Sequence, residues 1–210
     1  RDLAGAGLFC AFLTGIRNTW MVLVPLQGHS VGISKSAIGA TIAFQRCLEA
    51  ALTLSVTGQV FDRYGKKVVA VPGLLVIATA FALLPLSRGT FAFVVPAVVY
   101  AVGNGLTGGI IVTLTAGLAP PGARTQFIGL FKMVTALGGI ILPPSLGLIA
   151  DWTKSLEKAA LVIAVIAVLT AAWFKAMVPD LPSDQARGGR LLIQPAPADP
   201  KAAGRAEGAL

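Results

Sequence analysis

The sequence is poor in the residues that soluble enzymes and binding domains use most. Among its 210 residues, 12% are charged, two are cysteines and one is a histidine. Soluble domains carry about twice this charged fraction, so the composition argues against that class. Cys10 and Cys47 lie far apart within apolar segments, and we interpret them as packing residues without a disulfide or metal role. His29 falls in a predicted loop, which argues against a histidine-based metal site.

Motifs of catalysis and cofactor binding are missing as well. The sequence has no nucleotide-binding loop, no catalytic triad and no metal-ligand spacing, so we predict neither an enzyme nor a bound cofactor. The net charge of +8 comes from basic residues scattered through loops and the C-terminal segment. This scatter is typical of membrane topology determinants and does not indicate a nucleic-acid partner.

Long apolar segments dominate what remains. Hydrophobic residues make up 55% of the chain, and repeated apolar segments of about 20 residues predict an all-α integral membrane protein in a lipid bilayer. Six transmembrane helices fit, with short connections between them. Their predicted bounds are Leu3–Leu26, Ser36–Phe61, Lys66–Leu86, Phe91–Leu118, Arg124–Ala150 and Leu156–Met177. We expect residues 1–178 to form this bundle and residues 179–210, rich in Pro, Ala, Gly and charge, to form a disordered cytoplasmic tail.

Spans 1, 2, 4 and 5 hold all the candidate pathway residues, which are Thr14, Arg17, Asn18, Gln45, Arg46, Glu49, Tyr100, Asn104, Lys132 and Thr135. Across their middles, spans 3 and 6 carry nothing more polar than Thr79, Thr170 and Trp173. Spans 3 and 6 are almost wholly apolar and therefore lipid-like. A polar pair of helices followed by an apolar third, occurring twice, predicts two three-helix repeats.

The charges within the membrane identify the candidate pathway. A charged side chain at the bilayer centre costs about 2.5–3.5 kcal/mol, so Arg17 and Arg46 must face protein or water. Glu49 follows Arg46 by three residues and is expected to pair with it, either as a structural ion pair or as a proton site. Arg17 is a candidate to contact an anionic solute or to reach Glu49 across helices. The predicted substrate and proton pathway comprises Arg17, Asn18, Gln45, Arg46, Glu49, Tyr100 and Asn104.

A dense group of charges lies between the second and third apolar segments, at Gly58–Lys67. Its pattern, G-x-x-x-D-R-x-G-K-K, resembles the signature loop between the second and third helices of each half of major facilitator superfamily (MFS) transporters. The resemblance implies one six-helix half of a twelve-helix transporter, with the other half as its partner. It implies that helices 1 and 4 line the cavity and that helices 2 and 5 lie between the halves. It also implies a cytoplasmic gating loop formed by Gly58, Asp62, Arg63, Gly65, Lys66 and Lys67.

The segment Gly139–Gly147 distantly resembles the glycine–proline motif in the fifth helix of MFS antiporters. Pro143 stands where that motif has glycine, which leaves antiport open and favours the more diverged C-terminal half. The absence of an initiator Met and the long C-terminal segment favour the same half. We expect the sequence to be a piece of a longer protein, or a protein whose start is mis-set.

An even number of spans places both ends on one side of the membrane. Eight basic residues lie on that side against four on the other, which predicts that both ends are cytoplasmic. The first eight are Arg1, Arg63, Lys66, Lys67, Arg124, Lys175, Arg187 and Arg190, and the other four are Lys35, Arg88, Lys154 and Lys158. We expect a multi-pass protein of the cell membrane, specifically a bacterial inner membrane.

Three functions remain open from the sequence. The first is proton-coupled efflux of a small organic solute by alternating access, with Glu49 as the protonatable group. The second is uptake of an organic anion through Arg17 and Arg46. The third is a six-helix scaffold that transports nothing. A scaffold predicts closed helix contacts around these three side chains, whereas a transporter predicts that they line an open concave surface.

Overall fold

The computed structural model of the chain describes residues 2–64, 66–119 and 124–177. Within these ranges it contains seven α-helices and one short 3₁₀ helix, which confirms the all-α class. The helices are α1 (Asp2–Ser30), α2 (Lys35–Tyr64), α3 (Lys66–Leu83), α4 (Thr90–Thr107), α5 (Ile110–Leu118), α6 (Arg124–Thr153) and α7 (Leu156–Met177), with the 3₁₀ helix at Leu84–Leu86. The predicted tail at 179–210 lies outside the described residues.

Five stretches of the described helices are long and apolar enough to cross a membrane. They are Gly5–Ser30, Val69–Leu86, Thr90–Val112, Thr125–Thr153 and Leu156–Ala176. Helix α2 has 30 residues, enough to extend about 45 Å. It is not among the five, because Gln45, Arg46 and Glu49 lower the hydropathy of its centre.

The predicted fourth helix, continuous from Phe91 to Leu118, is wrong in one respect. The helix is interrupted at Gly108–Gly109, which separates α4 from α5. There the N–H of Gly108 bonds the carbonyl of Gly105 at 3.4 Å, three residues back rather than four. Two adjacent glycines favour this local tightening, because glycine is a weak helix former.

Several predicted helix ends fall short of the observed ones. Helix α1 continues past Leu26 to Ser30, so His29 lies in a helix and not in a loop. Helix α2 continues past Phe61 to Tyr64, and α6 continues past Ala150 to Thr153. Bounds placed by hydropathy stop at the first polar residues, whereas backbone hydrogen bonding continues until a turn forms. After α1 that turn includes Gly32, whose φ of 79° suits glycine.

Glycines set the closest helix contacts. A Cβ on Gly138 of α6 would collide with the Ala11 carbonyl of α1, and one on Gly15 would lie 2.6 Å from the Gly138 carbonyl oxygen. Helices α2 and α4 meet in the same way at Gly105, where an added Cβ would lie 2.8 Å from the Leu52 Cβ. Helices α1 and α6, and likewise α2 and α4, therefore approach backbone to backbone.

Helices α3 and α7 pack against each other, and they also contact α4 and α1 respectively. The rings of Phe9 in α1 and Phe174 in α7 stack with centroids 3.8 Å apart. Among the five apolar stretches, that of α6 (span 5) is the least buried, although spans 3 and 6 were expected to be the lipid-like ones. In its most apolar stretch 22% of the residues are buried, against 61% in α1. Helix α6 packs mainly on α1, so most of its surface has no partner within the described chain.

Candidate functional site

Three helices, α1, α2 and α4, bring the polar side chains of the apolar interior together. On α1 and α4 these residues are spaced by three or four positions, and on α2 Glu49 follows the adjacent pair Gln45 and Arg46 by four and three, which places them on one face of each helix. We call the group the polar seam. It consists of Arg17, Trp20, Gln45, Arg46, Glu49, Tyr100, Asn104 and Thr107.

Glu49 connects two helices. Its Oε2 accepts a hydrogen bond from Arg46 Nη1 at 2.9 Å, which confirms the predicted ion pair within α2. Its Oε1 accepts from Asn104 Nδ2 of α4. Both oxygens therefore act as acceptors, as suits an ionised carboxylate. The Arg46 side chain is 45% exposed and that of Glu49 is 19% exposed, so the pair lies at the surface of the described bundle.

Arg17 has a neutral partner. Its Nη2 donates to Thr107 Oγ1 at 2.8 Å, linking α1 to α4. Arg17 does not form an ion pair with Glu49. Among the described residues, Glu49 forms its ion pair with Arg46. Thr107 Oγ1 in turn lies 3.0 Å from the Gly103 carbonyl oxygen, to which it donates. In the described structure the Arg17 guanidinium is thus hydrogen-bonded to a neutral hydroxyl and not to a carboxylate.

Trp20 is the fully buried centre of the seam. Its indole stacks on the Tyr100 ring with centroids 4.3 Å apart, and it meets Phe81 of α3 edge-on at 5.0 Å. The indole N–H donates to Gln45 Oε1 at 3.0 Å. One side chain of α1 therefore contacts α2, α3 and α4, and it fixes the buried end of Gln45.

Three buried atoms of the seam have no hydrogen-bond partner in the described structure. They are Arg17 Nε, Gln45 Nε2 and Asn104 Oδ1. An unpaired buried donor or acceptor costs about 1–3 kcal/mol, and natural structures leave few of them. A purely structural role for the Arg46–Glu49 ion pair does not explain why three such atoms occur in one seam.

Two of the other predicted polar residues lie apart from the seam. Asn18 is exposed, and its Nδ2 makes a long 3.5 Å contact with the Gly139 carbonyl oxygen of α6. Lys132 is also exposed on α6, where Thr135 Oγ1 donates to its carbonyl oxygen at 2.9 Å. Cys47 is exposed on α2, so its predicted packing role is wrong within this chain, whereas Cys10 is buried as expected.

The predicted gating loop lies largely outside the description. Gly65 falls in a gap, and the side chains of residues 56–68 are not described. For the other gating-loop residues the structure describes the backbone. Asp62 and Arg63 lie at the end of α2, and Lys66 and Lys67 begin α3.

Sequence reasoning missed three residues of this region. Trp20 and Thr107 belong to the seam, and Met21 Sδ contacts Arg46 Nη2. Helical spacing carried a signal for the first two. Trp20 follows Arg17 by three residues and Thr107 follows Asn104 by three, so both share a face with a residue that was predicted.

Other parts of the described structure offer no competing site. No cluster of His, Cys, Asp and Glu suited to a metal ion occurs among the described residues. Grooves of about 430 Å³ between α3 and α7 and about 330 Å³ between α1 and α6 are lined almost wholly by apolar side chains. Neither groove includes a residue of the polar seam.

Comparison with known proteins identifies the chain's family. None of the curated proteins compared matches the sequence at a significant level. A family model described as Major Facilitator Superfamily matches residues 5–205. This match covers nearly the whole chain and agrees with the resemblance of the Gly58–Lys67 segment. Members of this family are membrane transporters and not enzymes. The protein is therefore a multi-pass membrane protein that belongs to the major facilitator superfamily of secondary transporters.

Proposed function

We propose that the chain forms one six-helix half of an MFS transporter, specifically the C-terminal half, and that its spans form two three-helix repeats. In this arrangement α2 crosses the membrane, and α4 and α5 together make one span. The packing supports this. If the repeats correspond, span 1 (α1) matches span 4 (α4), and span 2 (α2) matches span 5 (α6). The contact between α1 and α6 then corresponds to the contact between α4 and α2. Both contacts are close approaches at glycine. The departure of Pro143 from the antiporter motif supports the C-terminal assignment.

This half takes part in transport of a small organic solute by alternating access, with the pathway along the polar seam and Asn18. Spans 1 and 4 line the cavity, while α2 and α6 face the other half. Two observations support this placement. Arg46 and Asn18 are exposed in the isolated chain, and α6 leaves most of its surface uncovered. Charged groups within a membrane typically mark such pathways.

Glu49 is the proton-binding group, and the transporter works by proton-coupled efflux. The observation that carries this proposal is the division of the Glu49 carboxylate between Arg46 of its own helix and Asn104 of α4. A proton on either oxygen removes the charge that holds Arg46 and turns one acceptor into a donor. Protonation therefore weakens the contact of Glu49 with α4 and leaves Arg46 without its acceptor.

A second candidate is uptake of an organic anion. Arg17 supports it, because this guanidinium is bonded to Thr107 and has no carboxylate partner among the described residues. Arg46 would contribute further positive charge once Glu49 releases it. Under this alternative Glu49 is a structural partner and not a coupling group.

In the proposed orientation both ends of the chain are cytoplasmic in a bacterial inner membrane. The gating loop, comprising Gly58, Asp62, Arg63, Gly65, Lys66 and Lys67, then lies on the cytoplasmic side. Basic residues in cytoplasmic loops follow the positive-inside rule. The loop acts on the conformational change and does not contact the solute.

The test is solute-driven proton movement in proteoliposomes that contain the complete transporter. Glu49→Gln keeps the size of the side chain and mimics its protonated form, so we expect solute-coupled proton flux to be lost. Glu157→Gln is the matched control, because Glu157 is exposed in the first turn of α7, outside the seam. Proton flux that persists at the wild-type rate in Glu49→Gln would refute the coupling role. Transport that survives this variant and is lost in Arg17→Ala would favour anion uptake.

A further inference from the structure

The orientations of two buried amides in the polar seam are fixed by their partners. An indole N–H can only donate, so Gln45 must present its oxygen to Trp20 and direct its amino group elsewhere. An ionised carboxylate can only accept, so Asn104 must present its amino group to Glu49 and direct its oxygen elsewhere. The unpartnered Gln45 Nε2 and Asn104 Oδ1 are therefore consequences of the network itself.

Together with Arg17 Nε, these atoms offer two donors and one acceptor. The seam also has a net positive charge, since it contains two guanidinium groups and one carboxylate. Unpaired polar atoms are especially costly within a membrane, where bulk water is not available to satisfy them. The missing partner is thus a group with two acceptor atoms, a negative charge and one donor.

The size of the seam limits the partner. Gln45 and Glu49 are one helical turn apart, about 6 Å along α2. Asn104 bonds Glu49, so the two buried amides belong to positions about one turn apart on α2. This spacing favours an organic acid of a few carbon atoms.

We propose that the transported solute is a small organic acid that carries a hydroxyl group next to its carboxylate. Its carboxylate binds Arg17, whose Nε and one Nη form the fork that carboxylates accept in pairs. The hydroxyl group donates to Asn104 Oδ1 and accepts from Gln45 Nε2. Arg17 leaves Thr107 when the acid binds, so Thr107 holds the guanidinium in place while the site is empty.

This inference rests on the proposed transport function and names its substrate class. It is tested by binding to the purified complete transporter, measured by isothermal titration calorimetry. The probes are 2-hydroxy acids of three to six carbons, each compared with the unsubstituted acid and with the 2-hydroxy amide of the same carbon chain. We expect at least one 2-hydroxy acid to bind at least about tenfold more tightly than its unsubstituted acid, because the unsubstituted acid lacks both hydrogen bonds of the hydroxyl group. The matching amide should not bind measurably.

Variants separate binding chemistry from structural damage. Arg17→Gln should abolish acid binding, and Arg17→Lys should retain a weaker binding because it keeps the charge but loses the fork. Gln45→Glu keeps the acceptor for Trp20 and replaces the donor by an anionic oxygen, so it should weaken binding by about tenfold or more. Lys132→Gln removes a positive charge outside the seam and should bind as the wild type does.

Two results would overturn the inference. One is the absence of any acid that binds more tightly than its amide, and the other is unchanged acid binding in Arg17→Gln. Failure of the proton-coupling proposal gives a different pattern. Acid binding without Glu49-dependent proton flux would keep the substrate class and refute coupling. Proton flux driven by neutral or cationic solutes, without acid binding, would keep proton coupling and refute the substrate class.

Discussion

A single methyl group at Gly138 should disrupt the contact between α1 and α6. The Cβ of Gly138→Ala would collide with the carbonyl oxygen and carbon of Ala11, and both are backbone atoms. A side chain can rotate away from such a contact, whereas backbone requires the whole helix to move. Overpacking costs about 1–3 kcal/mol in ordinary cores, so we expect a loss of about 3 kcal/mol in the free energy of unfolding.

Two other glycines of the same helix provide matched controls. An added Cβ at Gly129 or Gly147 has no neighbouring atom of the described residues within 4 Å. Alanine at these positions should leave stability unchanged or raise it by about 0.5–1 kcal/mol, because alanine favours the helix. Unfolding is followed by tryptophan fluorescence during SDS titration in mixed micelles. If Gly138→Ala unfolds at the same SDS fraction as Gly129→Ala, the close approach of α1 and α6 is incorrect.

Two further predictions concern α1 and α2. Trp20→Phe keeps an aromatic ring against Tyr100 but leaves Gln45 Oε1 without its donor. The same SDS titration should therefore show a loss of about 1–3 kcal/mol in the free energy of unfolding. An unchanged midpoint would contradict the role given to the indole N–H. Cys47 is exposed in the described bundle and Cys10 is buried in it, so in detergent a maleimide should label the single cysteine of Cys10→Ala faster than that of Cys47→Ala. Equal labelling rates would contradict the burial of Cys10.

The sequence predicted the helices well because membrane insertion imposes a strong local rule. Every backbone polar group in hydrocarbon must be bonded within its own segment, so long apolar runs become helices. The last span is observed as Leu156–Met177, as predicted. The interruption at Gly108–Gly109 was not foreseen, since two glycines within an apolar run are compatible with a continuous or a broken helix. Hydropathy also does not detect where polar helix ends such as that of α1 stop.

Part of the site followed from the same local rule. Arg46 and Glu49 share one helix, so their spacing of three residues was enough to predict the ion pair. The partner of Arg17 could not be predicted in this way. Thr107 is 90 residues away in the sequence, and several other polar residues were equally plausible partners.

The sequence alone determined that this protein folds in a lipid bilayer, that it is helical, to which family it belongs and which charges its interior must accommodate. These follow from composition, from apolar length and from one local motif, none of which depends on how the helices pack. Tertiary structure decided which groups meet. It placed Glu49 against Asn104, Arg17 against Thr107 and Trp20 against Gln45. These contacts depend on close helix approach at glycines such as Gly105 and on the directions in which side chains leave three different helices. Hydropathy and residue spacing within one helix carry no information about either.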